Sequence, residues 1–242
     1  MKIAVVGGDE RFRHAAQWLK GMGHDVQWTG SWPEEYADAV LAVSEKEICG
    51  ENFGCCFLQR GSAERKNVIS LEENEGYLVK NAYLTAEGAL RAVMGLGGRA
   101  LFGAKCLVVG YGRIARALAQ MLLSMRADVT AAVRPGKSAE RARADGISYI
   151  WTDSLPKGIG SFEYIWNTAP ERVIGEDALA KVREGAMLID LASSPFGFEL
   201  EDARSRNIWA ERLSGLPGKY CPVTAGRVIA EMMENDLGEG KG

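Results

Sequence analysis

A glycine-rich stretch near the middle of the chain has the residue types and spacing of a dinucleotide-binding turn. In KCLVVGYGRIARALA, the residues Gly110-Tyr111-Gly112 follow an apolar run and precede an amphipathic one. Gly110 permits a tight turn, Gly112 lets the backbone approach a pyrophosphate, and Ala115 still allows close helix packing where a third glycine often stands. Because the first N–H groups of a helix favour negative charge, this stretch predicts phosphate binding.

Arg134 indicates which dinucleotide is bound. It lies about twenty residues after the glycine turn, where an NAD site usually carries a carboxylate that accepts hydrogen bonds from the ribose hydroxyls. A carboxylate repels a 2′-phosphate, whereas a guanidinium pairs with it, and Lys137 and Ser138 add a cation and a hydroxyl. The alternative is a solvated arginine in a surface turn. The pattern therefore favours NADP over NAD.

Two later stretches follow apolar runs and carry polar groups. They are NTAP (Asn167 to Pro170) and DLASSP (Asp190 to Pro195). Ligands of open parallel sheets lie at the carboxyl ends of the strands, so backbone groups and the hydroxyls of Thr168 and Ser193 could hold the ribose and the nicotinamide. The alternative is that these are turn and helix-cap residues.

A glycine- and proline-rich stretch, GLPGKYCPVTAG, precedes the last predicted helix. Lys219 stands at its centre and Thr224 near the start of the helix. This composition predicts a loop that closes over a bound anion. A plain linker is the alternative.

The chain lacks the residues of several other chemistries. No histidine follows His24, which argues against a dehydrogenase that uses a late histidine as proton donor. Five cysteines without a CxxC pair and only two histidines predict buried free thiols and no metal site.

A net charge of −3 gives no general attraction to nucleic acid or membranes. Without a run of about 20 apolar residues or a secretory signal, we expect a cytoplasmic protein.

Two copies of one α/β plan must position these residues. Lys2 to Val26 aligns with Lys105 to Val129 at a constant shift, with 11 identical residues in 25. Each copy is an apolar run, a glycine turn, an amphipathic helix and a second apolar run, which is the start of a doubly wound unit. Duplication and a shared βαβ template both explain the match.

The sequence therefore predicts an α/β fold of two doubly wound, Rossmann-like domains with parallel sheets, the N-terminal one small. Residues 1–83 form the predicted small substrate domain, with further strands at Ala37 to Val43, Cys55 to Gln59 and Asn67 to Leu71. Residues 84–98 form a connecting helix capped by Thr85, and residues 99–222 form the NADP-binding domain. Residues 223–242 form a C-terminal helix that returns to the first domain, and a tail.

The ordered set of motifs resembles the dipicolinate synthase A-subunit family of spore-forming bacteria. The similar stretches are VVGGDER at Val5, NAYLTAEGAL at Asn81, VVGYGRIARALA at Val108, NTAP at Asn167, LIDLASSPFG at Leu188 and LPGKYCPVTAG at Leu216. The resemblance implies a fold related to the D-hydroxyacid dehydrogenases, NADP as cofactor, oxidation of dihydrodipicolinate to dipicolinate in sporulation, and a flavoprotein-like second subunit. Aromatisation supplies much of the driving force, so this chemistry needs no histidine.

The resemblance also assigns roles to individual residues. Pyrophosphate contacts fall on Gly110, Tyr111, Gly112, Arg113 and Ile114, and contacts to the 2′-phosphate fall on Arg134, Lys137 and Ser138. Contacts to the ribose and nicotinamide fall on Asn167, Thr168, Pro170, Leu191 and Ser193, and Ala169, Ala192 and Thr224 are further predicted cofactor-binding residues. Asn81, Thr85 and Glu87 would face the substrate ring, with Glu87 as the proton acceptor or, alternatively, as a first-turn residue favoured by the helix dipole. Gly8, Asp9 and Lys219 would bind the two substrate carboxylates.

Two segments depart from the family pattern. The segment between Val43 and Lys80 is shorter, and SSPFG replaces an expected Arg-Pro-Gly-Gly form. These departures bear on catalysis more than on cofactor binding, so a non-catalytic NADP-binding subunit is one alternative. A methylenetetrahydrofolate dehydrogenase-like enzyme is another, because LPGKYCPVTAG is similar to a proline-glycine loop of that family, although YLVK at Tyr77 to Lys80 is one residue short of its Tyr-xxx-Lys pair.

Overall fold

The chain folds into two compact units. A computed structural model describes residues 1–61, 65–96 and 98–239. Unit 1 comprises Met1–Leu84 and the chain from Pro217 onward, and unit 2 comprises Thr85–Leu216. Each unit contains one parallel sheet, so the predicted pair of Rossmann-like α/β domains is confirmed. The predicted limits of these domains stay predictions.

The sheet of unit 1 has five parallel strands in the order β2-β1-β3-β4-β5. The strands are β1 Lys2–Val6, β2 Asp25–Thr29, β3 Ala37–Ala42, β4 Phe53–Leu58 and β5 Val68–Ser70. Along β1, Ile3 and Val5 enter the core on one face, and Ala4 and Val6 enter the core on the other. A strand that is buried on both faces requires the continuous apolar run seen in the sequence.

Two helices cover one face of this sheet. They are α1 (Glu10–Gly21), which follows β1, and the C-terminal helix α9 (Pro222–Glu239), which packs against α1. Phe12 and Leu19 of α1 share a buried core with Ile229 and Met233 of α9. The predicted return of the C-terminal helix to the first sheet is therefore confirmed.

The sheet of unit 2 has six parallel strands in the order β11-β10-β9-β6-β7-β8. The strands are β6 Lys105–Val109, β7 Asp128–Val133, β8 Ser148–Trp151, β9 Tyr164–Asn167, β10 Met187–Asp190 and β11 Trp209–Arg212. The helices between them are α3 Arg113–Ser124, α4 Lys137–Ala144, α5 Leu155–Gly158, α6 Glu176–Leu179 and α7 Leu200–Arg204. The order of the strands reverses between β6 and β9, and ligands of doubly wound sheets bind at such a switch point.

The predicted N-terminus of the connecting helix is wrong. Helix α2 spans Glu75–Gly95, so Thr85 lies in its middle and is buried instead of capping it. Asn74 stands before the helix and its Oδ1 accepts a hydrogen bond from the backbone N–H of Tyr77 at 2.9 Å. An asparagine that accepts a hydrogen bond from an early helical N–H acts as the N-cap, so Thr85 does not mark the start of the helix.

Three further expectations differ from the structure. GLPGKYCPVTAG is mostly helical, because α8 covers Leu216–Tyr220 and α9 begins at Pro222, so a loop closing over an anion was wrong. Strand β8 was not predicted, and α6 spans Glu176–Leu179 although the sequence pattern predicts a helix from Glu176 to Arg183. Of the thiols predicted to be buried, Cys56 and Cys106 are buried, whereas Cys49 is exposed.

No helix in the described ranges is long and apolar enough to span a membrane.

Candidate nucleotide-binding site

The glycine turn after β6 has the geometry that a dinucleotide-binding turn needs. Gly110 has a φ of +89°, and its backbone N–H donates to the carbonyl of Ala132 at 2.9 Å. A Cβ atom at this position would lie 2.8 Å from the Oγ1 of Thr168. Only glycine combines a positive φ with so close an approach, so the sequence motif reflects a steric requirement of the fold.

The N-terminus of α3 is accessible at the next glycine. Gly112 is the N-cap, and it has no side chain that could accept from the first N–H groups of the helix. A Cβ atom at Gly112 would meet no heavy atom within 4 Å among the described residues. Gly112 and Arg113 are exposed and Ile114 is partly exposed. A helix N-terminus with free space beside its first turn has the geometry that a phosphate group requires.

Tyr111 anchors the turn to the end of α4. Its ring is buried, and its hydroxyl donates to Oδ2 of Asp145 at 3.2 Å. Arg116 donates to the same carboxylate from Nε at 2.8 Å and from Nη2 at 3.0 Å. The hydrogen bond from Arg116 lowers the pKa of Asp145, burial opposes this, and the bond from Tyr111 adds to it. Asp145 and Arg116, which hold the turn in place, were not predicted from the sequence.

A cleft of about 180 Å³ lies beside the glycine turn. Several of the predicted cofactor residues line it together with residues that were not predicted. Its lining is Val109, Gly110, Ala132, Val133, Arg134, Ser138, Thr152, Ala169, Pro170, Glu171 and Val173. The structure thus brings Arg134 and Ser138 together with the turn, whereas Lys137, the first residue of α4, is exposed and does not belong to this lining.

Arg134 is not a free cation. Its Nη2 pairs with Oε2 of Glu171, and the side chains remain 55% and 59% exposed. The hydrogen bond with Glu171 and the charge of that carboxylate raise the pKa of Arg134. Glu171 follows β9 and was missed, because nothing in the sequence shows that two residues so far apart meet at one cleft.

Asn167 and Thr168 use their side chains within the protein. Asn167 is fully buried, and its Nδ2 donates to Oδ1 of Asp190 at 2.8 Å and to the carbonyl of Ala169 at 3.0 Å. Thr168 donates from Oγ1 to the carbonyl of Val109 at 2.8 Å. These bonds fix the ends of β6 and β9. Both side chains therefore fit the alternative interpretation of NTAP, in which these residues form a turn. Ala169 and Pro170 line the cleft.

Asp190 organises the loop that follows β10. Its carboxylate accepts from the backbone N–H of Ala192 at 3.1 Å and of Gly197 at 3.0 Å, in addition to Asn167. Arg212, at the end of β11, has its Nε 3.8 Å from Oδ2 of Asp190 and its Cζ 3.4 Å from the centroid of the Phe196 ring. The loop holds the predicted contacts Leu191, which is buried, Ala192, and Ser193, which is exposed. The Asp190–Arg212 pair was not predicted from the sequence.

In unit 1, the predicted substrate turn carries an internal ion pair. Asp9 is the N-cap of α1 and accepts from the N–H of Arg11 at 2.9 Å, while Arg11 Nη2 lies 2.5 Å from Oδ2 of Asp9. Arg11 is 7% exposed. Burial acts to raise the pKa of Asp9, but the bonds from Arg11 outweigh it and lower the pKa. Asp9 thus holds Arg11, while Gly8 has free space around it.

Helix α8 lies beside this pair, because a Cβ atom at Gly218 would lie 3.3 Å from Nε of Arg11 and 3.7 Å from Oδ1 of Asp9. Lys219 is exposed on α8, and Thr224 lies in the first turn of α9 and does not belong to the lining of the cleft in unit 2. Gln59, which was not predicted, follows β4 and is 7% exposed. Its Oε1 has no hydrogen-bond partner among the described residues. An unpartnered buried acceptor is costly, so Gln59 is a candidate for a ligand contact.

The predicted trio on α2 does not share one face. At about 100° per residue, Asn81 and Thr85 are about 40° apart around the helix, whereas Thr85 and Glu87 are about 200° apart. Thr85 is buried and Glu87 is exposed, in agreement with opposite faces. The three side chains cannot all face one substrate ring from a regular helix.

Comparison with known proteins confirms the resemblance found in the sequence. Residues 80–196, which contain the glycine turn and the cleft, match the family model of the D-isomer specific 2-hydroxyacid dehydrogenase, NAD binding domain. The chain is 26% identical over 184 residues to the A-subunit of dipicolinate synthase from Bacillus subtilis (strain 168). This chain is similar to that A-subunit. The match covers 76% of this chain and 62% of the length of that relative.

Solved structures show the same fold. The crystal structure of the dipicolinate synthase A-subunit from Bacillus halodurans superimposes with a TM-score of 0.83 at 20% identity, covering 98% of this chain and 97% of that one. An NAD complex of a D-isomer specific 2-hydroxyacid dehydrogenase from Lactobacillus delbrueckii ssp. bulgaricus gives a TM-score of 0.66 at 14% identity, covering 100% and 98%. The family model supports a nicotinamide cofactor, and the solved structures show the shared fold.

Proposed function

We propose that the chain is an NADP-dependent oxidoreductase that oxidises dihydrodipicolinate to dipicolinate. The observation that carries this proposal is the accessible N-terminus of α3 beside a cleft that contains a guanidinium and a hydroxyl, those of Arg134 and Ser138. The proposed substrate class rests on the similarity to the A-subunit of dipicolinate synthase. The glycine motif alone would not indicate a substrate.

The residues of unit 2 fit a dinucleotide. The turn Gly110–Gly112 and the N–H groups of Arg113 and Ile114 would hold the pyrophosphate, because no side chain fills the space at Gly112. Arg134 and Ser138 would hold the 2′-phosphate, and Ala169 and Pro170 would contact the adenosine part. When bound, NADP supplies the hydride acceptor.

Unit 1 is proposed to supply the groups that bind the substrate. A dicarboxylate requires cations or N–H donors, and the Gly8–Asp9 turn and Lys219 are the candidates. The unpartnered Oε1 of Gln59 is an acceptor, so it would take a hydrogen-bond donor of a ligand and not a carboxylate. On α2, Asn81 of unit 1 and Thr85, the first residue of unit 2, share one face of the helix and remain the proposed pair. Glu87 projects from another face of the helix. The proposal that Glu87 accepts the proton is tested by the variant Glu87→Gln. An unchanged turnover rate in this variant would contradict that role.

A spectrophotometric assay tests the proposed reaction. Freshly prepared dihydrodipicolinate is added to the protein with NADP, alone and with a flavoprotein similar to the second, B-type component of dipicolinate synthase, which is the proposed partner. The absorbance of NADPH should appear faster than the substrate oxidises without protein. An absorbance that stays flat in both mixtures would refute the proposal, and a Gly112→Val variant serves as the matched control because its side chain fills the phosphate space.

A second candidate function is that of a non-catalytic NADP-binding subunit. The observation that favours it is the Asp9–Arg11 ion pair, which occupies polar groups of the predicted substrate turn. Thermal unfolding separates the two candidates, since a ligand that binds the folded state raises its stability. Stabilisation by NADP but not by dipicolinate would select the non-catalytic function.

A further inference from the structure

Arg134 and Glu171 meet across the cleft of unit 2. Arg134 directly follows β7 and Glu171 follows β9, and these two strands flank β6, which ends in the glycine turn. Both residues line the cleft together with Gly110 and Ser138. The ion pair therefore lies where a nucleotide bound at the glycine turn would place its adenosine ribose.

We propose that Glu171 is a specificity-determining residue that lowers the preference of the site for a 2′-phosphate over a 2′-hydroxyl. The inference rests on the proposed binding of a nicotinamide dinucleotide and concerns which of the two nucleotides the cleft prefers. A 2′-phosphate must displace the carboxylate of Glu171 from Arg134 and then remain beside it as a like charge. A 2′-hydroxyl can instead donate a hydrogen bond to Glu171 while the pair stays intact.

The exposure of the pair makes this exchange feasible. Both side chains are more than half exposed, and exposed ion pairs are weak because water competes with each partner. Asp153 is a second carboxylate whose charge acts on Arg134, but it does not line the cleft. Glu171 therefore modulates the selectivity of Arg134 without abolishing it.

Nucleotide affinities of Glu171→Gln test the inference. The amide keeps the size of the side chain and removes the charge. Titrations of the full chain with NADP and with NAD give a ratio of dissociation constants, Kd(NAD)/Kd(NADP). We expect this ratio to rise about fivefold in Glu171→Gln, because NADP binds more tightly and NAD more weakly. The matched control is Glu184→Gln, an exposed glutamate outside the cleft, which should leave the ratio unchanged.

A double variant distinguishes release of Arg134 from a general change of charge. In Arg134→Gln/Glu171→Gln the gain in NADP affinity should disappear, because the freed guanidinium produces it. A gain that persists without Arg134, or a ratio that does not move in Glu171→Gln while both nucleotides bind, overturns the inference and leaves the proposed function standing. Failure of the parent protein to bind either nucleotide overturns both. Circular dichroism spectra of all variants verify that they fold.

Discussion

The side chains of Asn167 and Asp190 are joined by a 2.8 Å hydrogen bond between the ends of two neighbouring strands, and both are fully buried. Asp190 also accepts from two backbone N–H groups of the loop after β10. The bond therefore links the turn beside the cleft to the neighbouring loop, so that the two have one defined arrangement within unit 2. A buried network of this kind is rigid only when each polar group is satisfied.

Replacing Asp190 with alanine should destabilise the protein strongly. The change removes the acceptor of three hydrogen bonds, from Asn167, Ala192 and Gly197. We expect the free energy of unfolding to fall by about 3 kcal/mol or more. Urea denaturation measures it, and Asp128→Ala, which changes an exposed aspartate at the start of β7, should cost less than about 0.5 kcal/mol. Similar values for the two variants would contradict the role of Asp190.

Alanine substitutions at the two glycines of the turn should separate stability from binding. Gly110→Ala forces a Cβ into a positive φ and towards Thr168, so we expect a loss of stability of about 2 kcal/mol. Gly112→Ala meets free space at an ordinary φ, so stability should change by less than about 1 kcal/mol while NADP affinity falls. Thermal unfolding and nucleotide titration give the two numbers. An unchanged affinity in Gly112→Ala would place the phosphates elsewhere.

Reversing the charge of Arg134 should affect the two nucleotides differently. Arg134→Asp removes the proposed partner of the 2′-phosphate and adds a like charge, so NADP affinity should fall about tenfold or more while NAD affinity is retained. Dissociation constants for both nucleotides test this. Arg141→Asp, an exposed position on α4, is the control. Equal losses for NADP and NAD would indicate a damaged fold instead of a lost phosphate contact.

The Asp9–Arg11 pair should make stability depend on pH in the acid range. The pKa of Asp9 is lower in the folded state than its ordinary value of 3.8, so its contribution is complete above that value and is lost as the pH falls below it. Asp9→Asn leaves Arg11 buried without a counter-charge, which should cost about 2 kcal/mol at neutral pH. The difference between variant and parent in urea denaturation should shrink as the pH falls below about 4. A constant difference would contradict the ionic origin, and Glu10→Gln, at an exposed glutamate, is the control.

The fold was predictable where local patterns and packing agree. The apolar runs of β1 and β6 are buried on both faces, and the Gly110 turn has the steric requirement that its motif implies. Strand β8 escaped prediction because it is an edge strand of only four residues, and its apolar run of Tyr149, Ile150 and Trp151 is too short to be distinguished from a loop. The start of α2 escaped because Thr85 looks like a cap in sequence, while its burial within the helix depends on tertiary packing.

The site was predictable in its backbone and less so in its side chains. Residue types at strand ends located the turn, NTAP and DLASSP at one edge of the sheet. What the sequence could not show is which side chains pair across that edge, as Arg134 does with Glu171 and Asp190 does with Arg212. These partners come from different strands, and their meeting is set by the order of the strands, which no local pattern encodes.

The carboxylate of Asp9 makes the two aligned βαβ segments differ at the N-terminus of their helices. Asp9 in the first copy aligns with Gly112 in the second. The N-terminus of helix α1 is thus bound by the carboxylate of its own Asp9. Because this carboxylate is part of the chain, its effective concentration at the helix exceeds that of a free phosphate. Helix α3 has a glycine there, so no side chain of the cap residue accepts from its first turn. A difference at one aligned position therefore closes the helix N-terminus with a side chain in the first copy and leaves it open in the second.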